Sequence, residues 1–400
     1  MQSIIAKKLN CIKPSPTLAV TAKAKELRAG GKNIISLGAG EPDFDTPDNV
    51  KSAAFNAIKE GKTKYTAVDG IIELKTAIIN KFKRENNLVY NIDEISVGCG
   101  AKHVIFNLLL ATLNPGDEVI IPAPYWVSYP DMVTINGGTP KIINTSITNN
   151  FKLTAEDLEQ SITPKTKYII INSPSNPSGA CYNKQELQII AKLLHKHPNL
   201  HIISDDIYEH IRYDNKDFIN MANIDETMFK KTFVINGVSK AYAMTGWRIG
   251  YLAGSKEIIK AISKVQSQST SNATSISQYA AIEALNNSFD FTQKNKSIFL
   301  KRRDLMVKML NDIDGINAIK PDGAFYIFAS CHELLHKIAG KSNINSTNDL
   351  ANYFLENAGV AVVPGIAFGQ EGYIRLSYAI SEEQIILACS QIKAAAAKLC

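Results

Sequence analysis

Lys240 is the residue whose type and setting point most directly to chemistry. It follows the apolar run Thr232 to Ile235 and sits in a loop of small residues, Gly237-Val-Ser-Lys-Ala-Tyr-Ala243. That places it at the carboxyl edge of a strand, where open α/β sheets bind their ligands. A protonated amine is a poor nucleophile; partial burial lowers its pKa and lets it form a Schiff base with an aldehyde. Taken alone, a lysine after a strand is most often a solvated surface residue. Other residues could share a site with it. Asp205 ends the run His201 to Ser204, and its plainer local reading is a loop carboxylate capping a helix. Tyr208 lies three residues further on, so a helical turn would present both to one side. Gly100-Ala101-Lys102 opens a helix, and free backbone N–H groups at a helix start bind anions, although many such turns only redirect the chain. Arg248, eight residues after Lys240, carries a fixed guanidinium suited to phosphate oxygens. Arg375 interrupts an apolar strand pattern, where an unpaired charge is costly. A bound or structural carboxylate is therefore expected beside it. Trp126 in a Pro-rich loop and Asn176 in an Asn-Pro turn read locally as packing and as a turn.

These residues need a scaffold, and the pattern between them supplies one. Glu118 to Ile121, Tyr168 to Asn172, His201 to Ser204, Thr232 to Ile235 and Ile249 to Ala253 are predicted strands. Each is apolar throughout, as in strands covered on both faces of a largely parallel sheet. Helices are predicted between them, including Ala101 to Leu113 and Lys184 to Lys196. The alternation gives an α/β domain over roughly residues 50–300. Beyond it, helices at Leu300 to Asp312 and Asn348 to Ala358 and strands at Gly323 to Ala329 and Gly372 to Tyr378 predict a smaller α+β domain. The expected division is 1–48 as an N-terminal segment packing on the small domain, 49–298 as the large domain and 299–400 as the small one. Gly38-Ala39-Gly40-Glu41-Pro42 cannot continue a regular element.

The bulk properties narrow the function classes. Four hundred residues with 45% hydrophobic and 20% charged content fit an ordinary globular protein of two domains. The net charge of +6 is scattered, and no basic run is interleaved with aromatics, which argues against nucleic-acid binding. The stretch Gln391 to Lys398, with two lysines among alanines, reads as a solvated final helix. Six cysteines stand far apart with no CxxC pair, so no metal site or disulfide framework is expected, and reduced thiols in the cytoplasm are. No signal-peptide core or membrane-length apolar run is expected.

Val238-Ser239-Lys240 followed by Gly246-Trp247-Arg248-Ile249-Gly250-Tyr251 resembles the signature of the class I aminotransferases of pyridoxal-phosphate (PLP) fold type I. Leu37 to Pro47, Lys64 to Gly70, Asn172 to Gly179, Ser204 to Glu209, Val363 to Gly369 and Tyr373 to Tyr378 resemble that family in the same order. The match covers essentially the whole chain and looks most like the bacterial aspartate aminotransferase subgroup, some of which also accept prephenate. The resemblance implies a PLP cofactor held by Lys240 as a Schiff base. It implies Asp205 beside the pyridine nitrogen, Tyr208 and Asn176 on the phenolic oxygen, and Trp126 stacked on the ring. Gly100, Ala101, Lys102 and Arg248 would serve the phosphate. Tyr65 would reach the phosphate of a partner subunit, which implies a homodimer. Many relatives have Ser where this chain has Gly237, so that hydroxyl is missing and Ser239 is the substitute. Asp206 stands where the family usually has Glu and is assigned no cofactor contact.

For the substrate, the resemblance gives Arg375 the α-carboxylate, with Gly40 letting the backbone come close and Trp126 and Asn176 nearby. Lys102 and Lys13 are both candidates for a distal carboxylate, with solvated lysine as the alternative for each. The expected reaction is ping-pong transamination of L-aspartate and 2-oxoglutarate. A β-lyase or aromatic aminotransferase remains open, as does a non-catalytic PLP-binding regulator. The last is disfavoured, because the family match begins within the first fifteen residues and leaves no room for a DNA-binding segment ahead of it.

Overall fold

The computed structural model describes residues 4–12, 14, 16–214, 216–339 and 342–400. Its centre is a sheet of seven strands: β1 (Ile95–Gly98), β2 (Glu118–Ala123), β3 (Thr139–Asn144), β4 (Thr166–Asn172), β5 (His201–Asp205), β6 (Thr232–Gly237) and β7 (Gly250–Ala253). In space the order is β1-β7-β6-β5-β4-β2-β3. From β6 to β3 every neighbour is parallel, whereas β7 runs antiparallel to both β6 and β1. Helices cover both faces, which is why β4 can read Tyr-Ile-Ile-Ile with all four side chains buried. The intervening helices carry local start signals. Asn183 accepts from the Glu186 N–H (3.0 Å) while the Glu186 carboxylate accepts from the Asn183 N–H (2.8 Å), a capping box that begins the helix Lys184–Leu194.

The five predicted strands of this sheet are present; β1 and β3 were not anticipated. β1 is only four residues long and includes the buried polar Ser96, too short for a periodicity signal. β3 contains Pro140 and Lys141, tolerated because it is an edge strand.

A second sheet of four antiparallel strands has the order β10 (Val363–Pro364), β11 (Tyr373–Ser377), β9 (Tyr326–Ser330), β8 (Asn317–Ala318). Its inner strands pair Phe328 with Arg375 and Tyr326 with Ser377. Helices Phe289–Asn311, Thr347–Asn357 and Glu382–Ala396 pack here, and the apolar cluster beneath them includes Phe299, Phe325, Phe354, Ile374 and Ile392. The last helix is thus not simply solvated as its lysines had implied: Ile392, Ala395 and Ala396 are buried in that core. Ile35–Ser36 forms a parallel pair with Val360–Ala361, and Leu37 joins the same cluster. The irregular stretch after it, Gly38 to Glu41, is thereby held between the two sheets' ends. Among the described residues, no helix is long and apolar enough to cross a membrane.

Candidate active site

The carboxyl ends of β4, β5 and β6 open toward the second sheet, and one cavity of about 230 Å³ lies between. Lys240, Asp205, Tyr208, Asn176, Trp126, Arg375, Gly40, Ala101, Lys102, Ser239 and Arg248 all line it. The loop after β6 brings in Ser239 and Lys240, and the turn Thr245–Trp247 ahead of β7 brings Arg248. The end of β5 and the turn beyond it carry Asp205 and Tyr208, while β11 carries Arg375 from the other side. Gly100 does not line the cavity. Its φ of +94° begins the helix Ala101–Thr112, and a Cβ there would lie 2.4 Å from Arg248 Nη2, so glycine lets the guanidinium sit against the turn. Tyr65 is 92% exposed and away from this cavity. Lys13 lies outside the described residues.

The electrostatics are those of a site short of anions. The Lys240 amine, partly buried, donates to the Gly40 carbonyl at 2.5 Å. Burial pushes its pKa down to about 8; Arg248 and Arg375 add to that, while Glu41 and Asp205 oppose it. Arg375 is 2% exposed, yet its hydrogen bonds go only to neutral acceptors, Asn176 Oδ1 (2.9 Å) and the Gly38 carbonyl (2.8 Å). Its Nε has no partner, and among the described residues no carboxylate lies within ion-pair distance of it. The expected carboxylate is therefore not a structural one. Two aromatic rings flank the guanidinium, Tyr326 at 4.4 Å and Phe368 at 4.9 Å. Arg248 likewise donates only to carbonyls, Thr245 at 2.8 Å and Cys99 at 3.2 Å.

Asp205 is not a helix cap. One carboxylate oxygen accepts the Tyr129 hydroxyl and the other accepts the Ile207 N–H at 3.4 Å. Burial raises its pKa to about 6 against the pull of those bonds and of Lys240. Asp206 turns elsewhere, accepting from Ser204 Oγ (2.7 Å) and Asn220 Nδ2 (2.6 Å), and burial lifts it to about 8. Lys102 is exposed with its ammonium 5.0 Å from the Trp126 ring centre. Gly237 also has a local explanation: a Cβ there would meet the Ile249 carbonyl at 2.8 Å where β6 and β7 converge.

Sequence reasoning missed several cavity residues. Tyr129 ties the helix Ser128–Ile135 to Asp205. Asn172 donates to the Asp205 carbonyl and accepts the Asn176 N–H, both at 2.8 Å. Tyr326, whose ring lies against Arg375, and Thr17 also line the cavity. Asn172 opens one of the family-like stretches and Tyr129 lies just after Trp126, but their polar partners are set by tertiary approach and leave no spacing signal. The arrangement can hold an aldehyde that carries a basic ring nitrogen and a phosphate, with room for a carboxylate at Arg375.

Residues 32–392 match the family model described as aminotransferase class I and II. The chain belongs to this family. It is an aminotransferase by that membership, and its relatives are close. A probable aspartate/prephenate aminotransferase of Rickettsia felis is 58% identical, covering 98% of this chain and 96% of the relative. An aspartate/prephenate aminotransferase of Cereibacter sphaeroides is 53% identical over 97% of each. Among solved structures, an aspartate aminotransferase from Rhizobium meliloti superposes with a TM-score of 0.96 at 48% identity, covering 100% of both chains. One from Thermus thermophilus with maleate gives 0.92 at 42%, covering 99% of this chain and 100% of that one. The aminotransferase fold here, a mostly parallel sheet flanked by helices with a second smaller sheet, is that of these neighbours.

Proposed function

We propose that this aminotransferase moves the amino group of L-aspartate to 2-oxoglutarate, giving oxaloacetate and L-glutamate, with PLP as its cofactor. Supporting the substrate is the name shared by relatives at 53–58% identity, aspartate/prephenate aminotransferase; the same names support prephenate as a further keto acid acceptor. The observation that carries the reading is Arg375, buried with, among the described residues, no partner for its Nε and no carboxylate beside it. A buried cation is stable only when its charge is matched, and a planar guanidinium matches a carboxylate in two parallel hydrogen bonds.

The residues present fit PLP. Lys240, with its lowered pKa, would hold the aldehyde carbon. Asp205, ionised by its Tyr129 bond, would keep the pyridine nitrogen protonated. Arg248 with the N–H groups of Ala101 and Lys102 would take the phosphate, with Ser239 beside them. Tyr208 and Asn176 would hold the phenolic oxygen, and Trp126 would cover the ring. Bound, the cofactor supplies an electron sink for the charge left when a substrate α-proton departs. Lys240 would remove that proton and return it, serving both half-reactions in turn and so giving ping-pong kinetics. Arg375 would orient the α-carboxylate, Gly40 would leave room for it, and Lys102 and Lys13 would compete for the distal one. The division into residues 1–48, 49–298 and 299–400 belongs to the same reading. So do a homodimer with Tyr65 reaching the partner's phosphate and a cytoplasmic location.

The test is spectroscopic. Protein loaded with PLP is mixed with L-aspartate alone. A change in the cofactor's absorbance, with stoichiometric oxaloacetate released, is expected; an unchanged spectrum would remove the transaminase reading.

A further inference from the structure

Tyr326 is buried, at the start of β9, and does two things at once. Its ring lies 4.4 Å from the Arg375 guanidinium carbon. Its hydroxyl lies 2.9 Å from the Tyr208 hydroxyl, so it touches the turn after β5. β9 and β11 belong to the smaller sheet, whereas Tyr208 follows β5 in the larger one. Tyr326 therefore bridges the two sheets at the cavity, between the cation that awaits a carboxylate and the phenol assigned to the cofactor. Gly40 completes the contact, since a Cβ there would lie 3.2 Å from the Tyr326 oxygen.

We infer that Tyr326 is a positioning residue that supplies the proton of the Tyr208–Tyr326 hydrogen bond and so sets the strength of Tyr208 as a donor. The inference rests on the PLP reading above. It follows from counting protons. A phenol has one proton to give, and in the chain alone either oxygen can donate. Once Tyr208 gives its proton to the cofactor's phenolic oxygen, the proton between the two tyrosines must come from Tyr326. A donor that itself accepts a hydrogen bond is polarised and donates more strongly. Arg375 acts on the same pair: burial opposes ionisation of both phenols, and the Arg375 charge works against that. A carboxylate bound to Arg375 would cancel that field, so substrate binding at one sheet reaches the cofactor's oxygen at the other through Tyr326.

Two substitutions separate the ring from the hydroxyl. Y326F keeps the ring beneath Arg375 and removes only the hydroxyl, with the proton it gives. The absorbance of bound PLP is titrated against pH for wild type, Y326F, Y208F and Y208F/Y326F. Losing a polarising bond should move the midpoint of Y326F upward by about half a pH unit. Its kcat should fall about three- to tenfold, with KM for aspartate little changed, as one hydrogen bond acting on the reacting state would give. In the Y208F background the Tyr326 change should add nothing to the midpoint. Y326L, which also removes the ring, should raise KM for aspartate. A Y326F midpoint equal to wild type, or equal shifts with and without Tyr208, would overturn the inference. A purely structural role would lower melting temperature without moving the midpoint. A wild-type protein that develops no absorbance band with PLP would instead remove the cofactor reading on which this rests.

Discussion

Two charged clusters on this chain are built in opposite ways. Behind the sheet, Lys81 is fully buried against Glu209 and donates to Asn86 Oδ1 at 2.7 Å. Glu209 also accepts from Asn86 and Asn236, each at 2.8 Å. Glu85 takes His210 at 2.8 Å, and with Lys81 nearby its carboxyl is held at about 2 despite burial. Glu85, Glu209 and His210 are close enough together to suggest metal ligands, but the Lys81 ammonium already supplies the cation. In the cavity, Arg375, Arg248 and Lys240 have carbonyl and amide oxygens but, among the described residues, no carboxylate partner. A closed network specifies structure; an open one is completed by a ligand. Burial alone does not tell the two apart, because Lys81 and Arg375 are about equally buried.

Breaking each cluster should therefore break different things. Lys240→Ala should lower steady-state turnover of aspartate with 2-oxoglutarate at least about 10⁴-fold, because nucleophile and proton carrier are one group; retained turnover would refute the assignment. Arg375→Met should cost about 10²–10³-fold in kcat/KM, the range for removing one partner of a buried charged pair. Its folding stability should change by no more than about 1 kcal/mol, since two lost hydrogen bonds to neutral acceptors are offset by removal of an unpaired buried charge. Lys81→Met should do the reverse. It strands Glu209 and should cost about 3–5 kcal/mol in denaturant unfolding, while the folded fraction keeps its kcat/KM. If Lys81→Met abolished catalysis in the folded state, or Arg375→Met unfolded the protein, the contrast between the clusters would fail.

How much of this was readable beforehand divides along the same line. The strands of the parallel core and the cavity's chain-local residues, Lys240, Asp205, Tyr208, Asn176, Trp126 and Arg248, come from motifs whose members lie close in sequence. A strand buried on both faces is a continuous apolar run, and it announces the loop at its carboxyl end. Arg375 was legible because a charge inside such a run is anomalous. What could not be read was pairing across long separations. Tyr129 meets Asp205 across 76 residues and Tyr208 meets Tyr326 across 118, and nothing in spacing encodes either. The final helix misled for a related reason: its lysines are visible in sequence, but the core that Ile392 enters is formed by distant strands.

Tyr129 gives a smaller break. Its hydroxyl is the one side chain donating to the Asp205 carboxylate among the described residues, and burial otherwise favours the neutral acid. Tyr129→Phe should raise the Asp205 pKa further above about 6 and weaken its hold on a protonated ring nitrogen. PLP affinity measured by equilibrium dialysis at pH 7 should fall about 10- to 100-fold, the cost of a hydrogen bond to a charged group. The loss should grow as pH is lowered toward the raised pKa; a loss independent of pH would assign Tyr129 to packing alone.

The gentlest test uses pH alone. An aldehyde reacts with free amine, and the fraction of lysine in that form is set by its pKa. Because burial depresses Lys240 to about 8, the sign is fixed: protonated at low pH, free above 8, well before an exposed lysine. The rate at which the apoprotein takes up PLP, followed by absorbance, should rise about tenfold per pH unit below 7. It should level off above about 8. Trapping the adduct with a hydride reductant and mapping peptides should find the label on Lys240 and none on Lys81, whose ammonium is committed to Glu209. A plateau displaced to the range of solvated lysines would mean that the open cluster does not lower the amine's pKa, and that the shortage of anions around Lys240 is offset by solvent rather than kept for a ligand.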